Sequence, residues 1–311
     1  MDVRQLRYFS AIVAAKSFTR AADRVRVAQP ALGLQIRKLE DELGVLLLHR
    51  HSRGVEPTEA GIVLLGHANA ILKQIEQAQR EVTDLSGPPR GDIVLGITPT
   101  ASALLATRLV RTCRDLYPGI SLNIFEGLSE EIMHRLDDNS LDMGFTYNPG
   151  AATAIATEPL LSEDLYLVGS AATDDRSEKV SFSDVCKRPL ILPSQGFGLR
   201  DWVEDTARDR ELTLNVEFEI DSVATQRELV EGGLGFTVLP FAVVRQSVDS
   251  GRLFAAQIVR PRISRTLNFA YAAAHNENKA SRAVREVIDR VIEESIAESG
   301  GRLTAPCTPD V

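Results

Sequence analysis

The chain has 311 residues, 44% hydrophobic and 25% charged, a composition that supports two or three domains with their own cores and excludes a disordered chain. No apolar run reaches about 18 residues, and Asp2 and Arg4 stand in the opening segment, so the sequence predicts neither a membrane span nor a cleaved leader. The net charge of −8 conceals a split: residues 1–60 carry +3 and the remainder −11. A basic head on an acidic body is the pattern expected when only the head meets phosphate.

Cys113, Cys186 and Cys307 lack C-x-x-C spacing. Neither a disulfide framework nor a structural zinc site is expected, and buried thiols in a reducing cytoplasm fit best.

In chain order, Val3, Leu6, Phe9, Ile12 and Val13 recur at helical spacing, predicting a helix over 3–15. Ser17 or Thr19 can cap a short second helix over 20–25, where Ala21 and Ala22 allow close packing. Gln29 and Pro30 open a third helix, since proline at the first helical position loses no hydrogen bond. Leu32, Ile36, Leu39 and Leu43 line one face of it, and Gly44 supplies a left-handed stop. This is a helix-turn-helix with a candidate recognition helix. An apolar strand over 45–48, a basic turn from His49 to Arg53 and a return at Val55 predict a wing.

Thr58 then caps a helix of about 28 residues in which Leu65, Ala68, Leu72, Ile75, Gln79 and Val82 recur every three or four positions. That average of 3.5 is the coiled-coil period, and a partner chain is expected to cover the stripe. The expected domains are a winged helix-turn-helix over 1–58, a dimerising linker helix over 59–86 and a hinge over 87–91.

Beyond the hinge, strands and helices alternate. Strands at 93–97, 120–125 and 142–147 enclose helices at 101–116 and 129–137, the order of a parallel-sheet α/β fold. A second set follows, with strands at 164–169, 190–192, 214–220 and 235–239 and helices at 199–210 and 222–231. A strand at 267–272 and a helix at 281–296 return to the first lobe, so the reading is a two-lobed domain over 92–298. Its first lobe spans about 92–161 and 266–298, its second about 162–265, and 299–311 forms a disordered tail.

The head resembles the LysR-type transcriptional regulators. The resemblance rests on Leu6-x-x-Phe9, Ser17-Phe18-Thr19-x-Ala21-Ala22, Ala28-Gln29-Pro30-Ala31-Leu32, Ile36-x-x-Leu39-Glu40-x-x-Leu43-Gly44 and Arg53-Gly54-Val55-x-Pro57-Thr58-x-Ala60-Gly61. The body resembles the family in domain order and in the run from Glu231 to Pro240. The segments Ala70-Ile71-Leu72-x-Gln74-x-Glu76-Gln77-Ala78-Gln79 and Leu192-Pro193-Ser194 point to the nitrogen-assimilation-control branch. Many members have serine where this chain has Ala28 and Gly33, which removes a capping hydroxyl and a possible groove contact.

The resemblance implies a periplasmic-binding-protein-like effector domain, control of a promoter by activation or repression, and a homodimer assembling into a homotetramer. Candidate DNA contacts are Gln29, Pro30, Ala31, Gly33, Gln35 and Arg37 on the third helix, with Arg50 and Arg53 in the wing. Glutamine can pair with adenine and arginine with guanine or phosphate. Thr98, Thr100 and Ser102 end a strand and start a helix, where open α/β sheets bind ligands, although capping alone also explains Thr98 and Thr100. The resemblance adds Ser129, Thr146, Ser194, Gln195 and Thr225 on facing loops. So many hydroxyls near a helix N-terminus tilt the expected effector toward a small anion.

His49-x-His51 lacks further metal ligands, Gly232 to Gly235 is a helix-to-strand turn rather than a phosphate loop, and no catalytic constellation is visible. No cofactor is expected. Two rivals stand beside the ligand-gated regulator: one whose α/β domain serves only for oligomerisation, and an enzyme carrying a DNA-binding head.

Overall fold

Asp2 starts the first helix. Its carboxylate accepts the N–H of Gln5 at 2.8 Å while the Gln5 side chain accepts the N–H of Asp2 at 2.9 Å, a capping box. The structure is a computed structural model that describes residues 1–51, 54–83, 87–147, 155–173, 177–272 and 278–306. The chain divides into two compact units, Met1–Pro88 with Asp137–Ser140, and Pro89–Leu136 with Leu141–Val311.

The first unit holds α1 (Val3–Ala15), α2 (Phe18–Val25), α3 (Gln29–Leu43), β1 (Leu48–His51), β2 (Gly54–Pro57) and α4 (Glu59–Thr83). Of the two candidate caps for α2, Ser17 takes the role, its hydroxyl accepting the N–H of Arg20. Ala28 gives α3 no side-chain cap, and Gly44 closes that helix at φ +71°. Phe9, Ile12, Leu32, Ile36 and Leu39 form one core with Leu47, Leu48 and Val55 of the wing.

The wing differs from the sequence expectation. Its first strand is the basic run itself, with Arg50 opposite Val55 and His51 opposite Gly54, whereas Val45 and Leu46 precede it and are exposed. The cause is Glu40, whose carboxylate accepts the N–H groups of Leu47 and Leu48 at 2.9 and 3.3 Å and ties that segment to α3. Thr58 links the wing to α4, donating its hydroxyl to the Leu46 carbonyl at 2.7 Å and accepting the N–H of Gly61 at 3.0 Å. Helix and wing approach so closely there that a Cβ on Gly61 would sit 2.1 Å from the Leu47 carbonyl oxygen.

The stripe on α4 is also partly reassigned. Leu64 and Leu65 pack on the head core and Ala68 is fully buried, while Ile62 and Val63 are the exposed apolar residues of the first turns.

The second unit continues with β3 (Gly91–Ile97), α5 (Pro99–Leu116), β4 (Ile120–Glu126), α6 (Ser129–Asp137), β5 (Met143–Tyr147) and β6 (Ile155–Ser170). Then come β7 (Lys179–Ser181), α7 (Phe182–Val185), β8 (Leu190–Leu192), α8 (Gly198–Arg208), β9 (Val216–Glu219) and α9 (Val223–Glu231). The chain finishes with β10 (Thr237–Pro240), α10 (Phe241–Asp249), β11 (Leu253–Val259), β12 (Ser264–Ala272), α11 (Lys279–Glu298) and β13 (Leu303–Thr304).

β3 runs parallel to β4 and β5, as expected, but β12 returns antiparallel to both β5 and β6, so the sheet is mixed. β6 is 16 residues long, against the short strand expected at 164–169. Its first half pairs with β12 in one lobe and its second half with β10 and β11 in the other. One strand therefore belongs to both lobes, and β12 carries the chain back beside it.

Each lobe has its own core. Leu95, Leu105, Phe145, Phe269 and Ile288 sit in the first, and Leu167, Phe182, Leu190, Val238 and Ile258 in the second. The tail is not all irregular: Leu303 pairs with Glu163 and Thr304 with Ser162, because Ser299 caps the turn that feeds them back, its hydroxyl accepting the Leu303 N–H. Among the described residues no helix is long and apolar enough to cross a membrane.

Candidate functional site

Two surfaces carry the chemistry. On α3 the inward positions Leu32, Ile36 and Leu39 fix the outward face by the 3.6-residue period. That face presents Pro30, Leu34, Arg37 and Lys38, all exposed. Gln29 and Ala31 are exposed at the first turn, while Gly33 and Gln35 are half-buried on the flanks. Leu34, 53% exposed at the centre of the face, was absent from the sequence-based set; an apolar residue there breaks the polar pattern, and that break was the available signal.

Arg50 stands in β1 with its guanidinium 4.2 Å from the Phe18 ring centroid, so α2 orients it. Arg53 lies outside the described residues.

The second surface is a cavity of about 530 Å³ between the two lobes of the second unit. Of the eight expected effector residues, Thr98, Thr100 and Ser129 line it, and Ser102, Thr146, Ser194, Gln195 and Thr225 do not. Thr146 is wholly buried in β5, Ser102 lies a turn into α5, and Gln195 and Thr225 are exposed to solvent.

Behind Thr100 lies a buried charged cluster that sequence reasoning missed. β12 and β6 set Arg265 directly opposite Glu163. The Arg265 guanidinium donates Nε at 2.9 Å and Nη2 at 2.7 Å to Glu163 Oε1, and Nη2 also to Thr100 Oγ1 at 2.7 Å. Tyr147 donates its hydroxyl to the same carboxylate oxygen at 2.6 Å and offers its ring to the guanidinium, 3.7 Å from the centroid. Burial, followed by the Glu163 charge, pushes the Tyr147 phenol well above its ordinary value, so it stays protonated. The strand beginning at 264 rather than 267 is what brings Arg265 onto the ladder.

The hydroxyls expected to greet an anion are thus largely committed. Thr100 accepts from Arg265, and Ser129 accepts the Tyr147 N–H at 3.0 Å. Thr98 is the N-cap residue of α5 but makes no capping bond, and its buried hydroxyl has no partner. The facing wall brings Phe197, Trp202, Asp201, Asp205 and Asp221 from the second lobe.

A family profile described as "Bacterial regulatory helix-turn-helix protein, lysR family" matches residues 3–62, and one described as "LysR substrate binding domain" matches residues 86–294. The chain belongs to the LysR family. It is similar to the nitrogen assimilation regulatory protein nac of Klebsiella aerogenes, 34% identical with 93% of this chain and 94% of that protein covered. It is also similar to the dual regulator OxyR of Escherichia coli K12, at 29% identity with 87% and 89% covered. Among solved structures, a full-length single-residue variant of OxyR from Pseudomonas aeruginosa superposes with a TM-score of 0.75 at 26% identity, over 99% of each chain.

This LysR-family chain is therefore a DNA-binding transcriptional regulator with an effector domain, not an enzyme. Its two described cysteines, Cys113 and Cys186, are buried, and burial raises both thiols above their ordinary value. Cys307 lies outside the described residues.

Proposed function

We propose that the protein is a cytoplasmic homo-oligomeric regulator, assembling to a tetramer, that binds partly palindromic promoter DNA and alters that binding when a small molecule occupies the interlobe cavity. The cavity of about 530 Å³ within the matched substrate-binding domain carries this reading, since ligand sites are concave, apolar and furnished with a few convergent polar groups. Exposed Ile62 and Val63 at the start of α4 support a dimer contact there.

On DNA, Arg37 and Arg50 take phosphate or guanine, and Gln29 and Gln35 contact base edges beside Pro30 and Ala31. Leu34 offers its side chain to a thymine methyl group, while Gly33 lets the backbone approach closely. Arg53 is assigned to phosphate by its place in the wing sequence. The likeness to nitrogen assimilation regulatory proteins makes promoters of nitrogen metabolism the first DNA to test. A peroxide response, for which other relatives are named, has no support in Cys113 and Cys186, because a sensing thiol needs exposure and a lowered pKa.

The test is selection of genomic fragments by the full chain, followed by affinity against salt on the selected duplex. Arg37→Ala should weaken binding and flatten the slope of log K against log salt by about 1, and Leu34→Ala should relax base preference with the slope unchanged. Unaltered binding in both variants would displace α3 from the groove.

A further inference from the structure

The charge of the cleft is the reverse of what its hydroxyls suggested. Glu130 of the first lobe and Asp201, Asp205 and Asp221 of the second all line it. The single cation among the described lining residues is Arg265, and its charge is spent on Glu163, with side chains only 4% and 1% exposed.

Two of the helix N-termini at the cleft, those of α6 and α8, already carry the chain's own carboxylates, whereas those of α5 and α9 have no acidic residue in their first turns. Glu130 lies in the first turn of α6 and Asp201 in the first turn of α8. Asp201 accepts the N–H of Gly196 at 3.1 Å, and Asp221 accepts that of Ser194 at 2.9 Å. Asp205 pairs with Arg208 at 2.6 Å through one oxygen. Glu130 makes no hydrogen bond or ion pair among the described residues. An anionic ligand would enter a field of four carboxylates with no free cation among the described lining residues to receive it.

The same wall is aromatic. Trp202 sits between Asp201 and Asp205 on α8, with Phe197 at the start of that helix, and Met133 and Leu128 face them from the first lobe. Aromatic faces beside carboxylates form the environment that receives organic ammonium groups. A second observation points to a ligand: Thr98 Oγ1 is buried at the cavity wall without any partner, a hydroxyl that a ligand oxygen or nitrogen can satisfy.

We propose that the effector is an amphipathic organic cation, an ammonium or amidinium on an apolar body. Its charge lies among Glu130, Asp201 and Asp205 against Trp202, and a polar atom of its body reaches Thr98. This deepens the cleft reading given above and rests on it.

Trp202 is the only tryptophan in the chain, so its emission reports occupancy of the cleft directly. The experiment titrates the full-length protein with phenethylamine and, separately, with phenylacetate, which share a ring and differ in charge. Phenethylamine should change the emission saturably and phenylacetate should not. Glu130→Gln and Asp205→Asn should each weaken phenethylamine by about twofold to fivefold, an effect that shrinks as salt rises.

Saturable binding of phenylacetate in preference, strengthened by Asp205→Asn, would overturn the charge assignment and leave the cleft as a ligand site. Silence of Trp202 toward both probes up to millimolar concentration would overturn the charge assignment.

Discussion

Helix α3 and the interlobe cavity are built in opposite ways. On α3 every surface residue is placed by one local rule, because Leu32, Ile36 and Leu39 turn inward and leave Pro30, Leu34 and Arg37 outward. In the cleft, Thr98, Ser129, Tyr147, Trp202, Asp221 and Arg265 meet from distant parts of the chain, and the buried pair Arg265–Glu163 holds one wall in place. A surface made by local periodicity tolerates single changes, whereas one made by long-range pairing depends on a few buried contacts.

The largest test of that contrast is Glu163→Ala. It leaves the Arg265 charge buried without its partner and removes the acceptor of Tyr147, and it should destabilise the effector domain by about 3–5 kcal/mol in urea unfolding followed by Trp202 emission. A loss below about 1 kcal/mol would show that the pair does not hold the wall.

Next in size is a backbone contact in the head. Gly61→Ala forces a methyl group against the Leu47 carbonyl, so the head should lose about 1–3 kcal/mol and DNA affinity should fall, with Trp202-monitored unfolding unchanged. Full DNA binding in this variant would show that the close helix-to-wing approach does not matter to the head.

Smaller, and opposite in sign, is Gly33→Ala. A Cβ there meets no atom within 4 Å, and replacing glycine inside a helix should stabilise the head by about 1 kcal/mol. If stability rises while DNA affinity falls, the bare backbone of Gly33 serves close approach to DNA; if both rise, it serves nothing in binding.

The mildest effect is on acid sensitivity. Glu158 is held below its ordinary value first by the Tyr271 hydroxyl and then by Arg285, and Glu231 first by the Ser247 hydroxyl and then by Arg252. Because these folded-state values are depressed, their stabilisation is complete above the ordinary carboxylate value of 4.5 and disappears as pH falls through the depressed values. Glu158→Gln should therefore flatten the fall of the urea midpoint on acidification, and an unchanged slope would exclude Glu158 as a contributor.

How much was legible in the sequence follows the same contrast. The helices of the head could be read because period, cap and stop signals agree at Ser17, Pro30 and Gly44. The wing slipped because Glu40, eight residues before Leu48, decides where the strand begins. In the body, the alternation of strands and helices gave the two lobes, but not the double membership of β6 or the return of β12 from Ser264. With the first three residues of that strand unread, Arg265 was invisible as Glu163's partner. Hydroxyls near a helix start were a real signal for the cleft wall, since Thr98, Thr100 and Ser129 line it. Their sequence neighbours could not reveal which hydroxyls are committed to Arg265 and the Tyr147 N–H, or that carboxylates face them from the other lobe.

The central claim is that occupancy of the cleft changes how the head holds DNA. The most direct measurement follows DNA affinity and footprint length of the full chain on its selected promoter site during a phenethylamine titration, with Trp202 emission recorded in parallel. Affinity or footprint should change with the same midpoint as the emission. Saturation of the Trp202 signal with affinity and footprint both constant would contradict that claim.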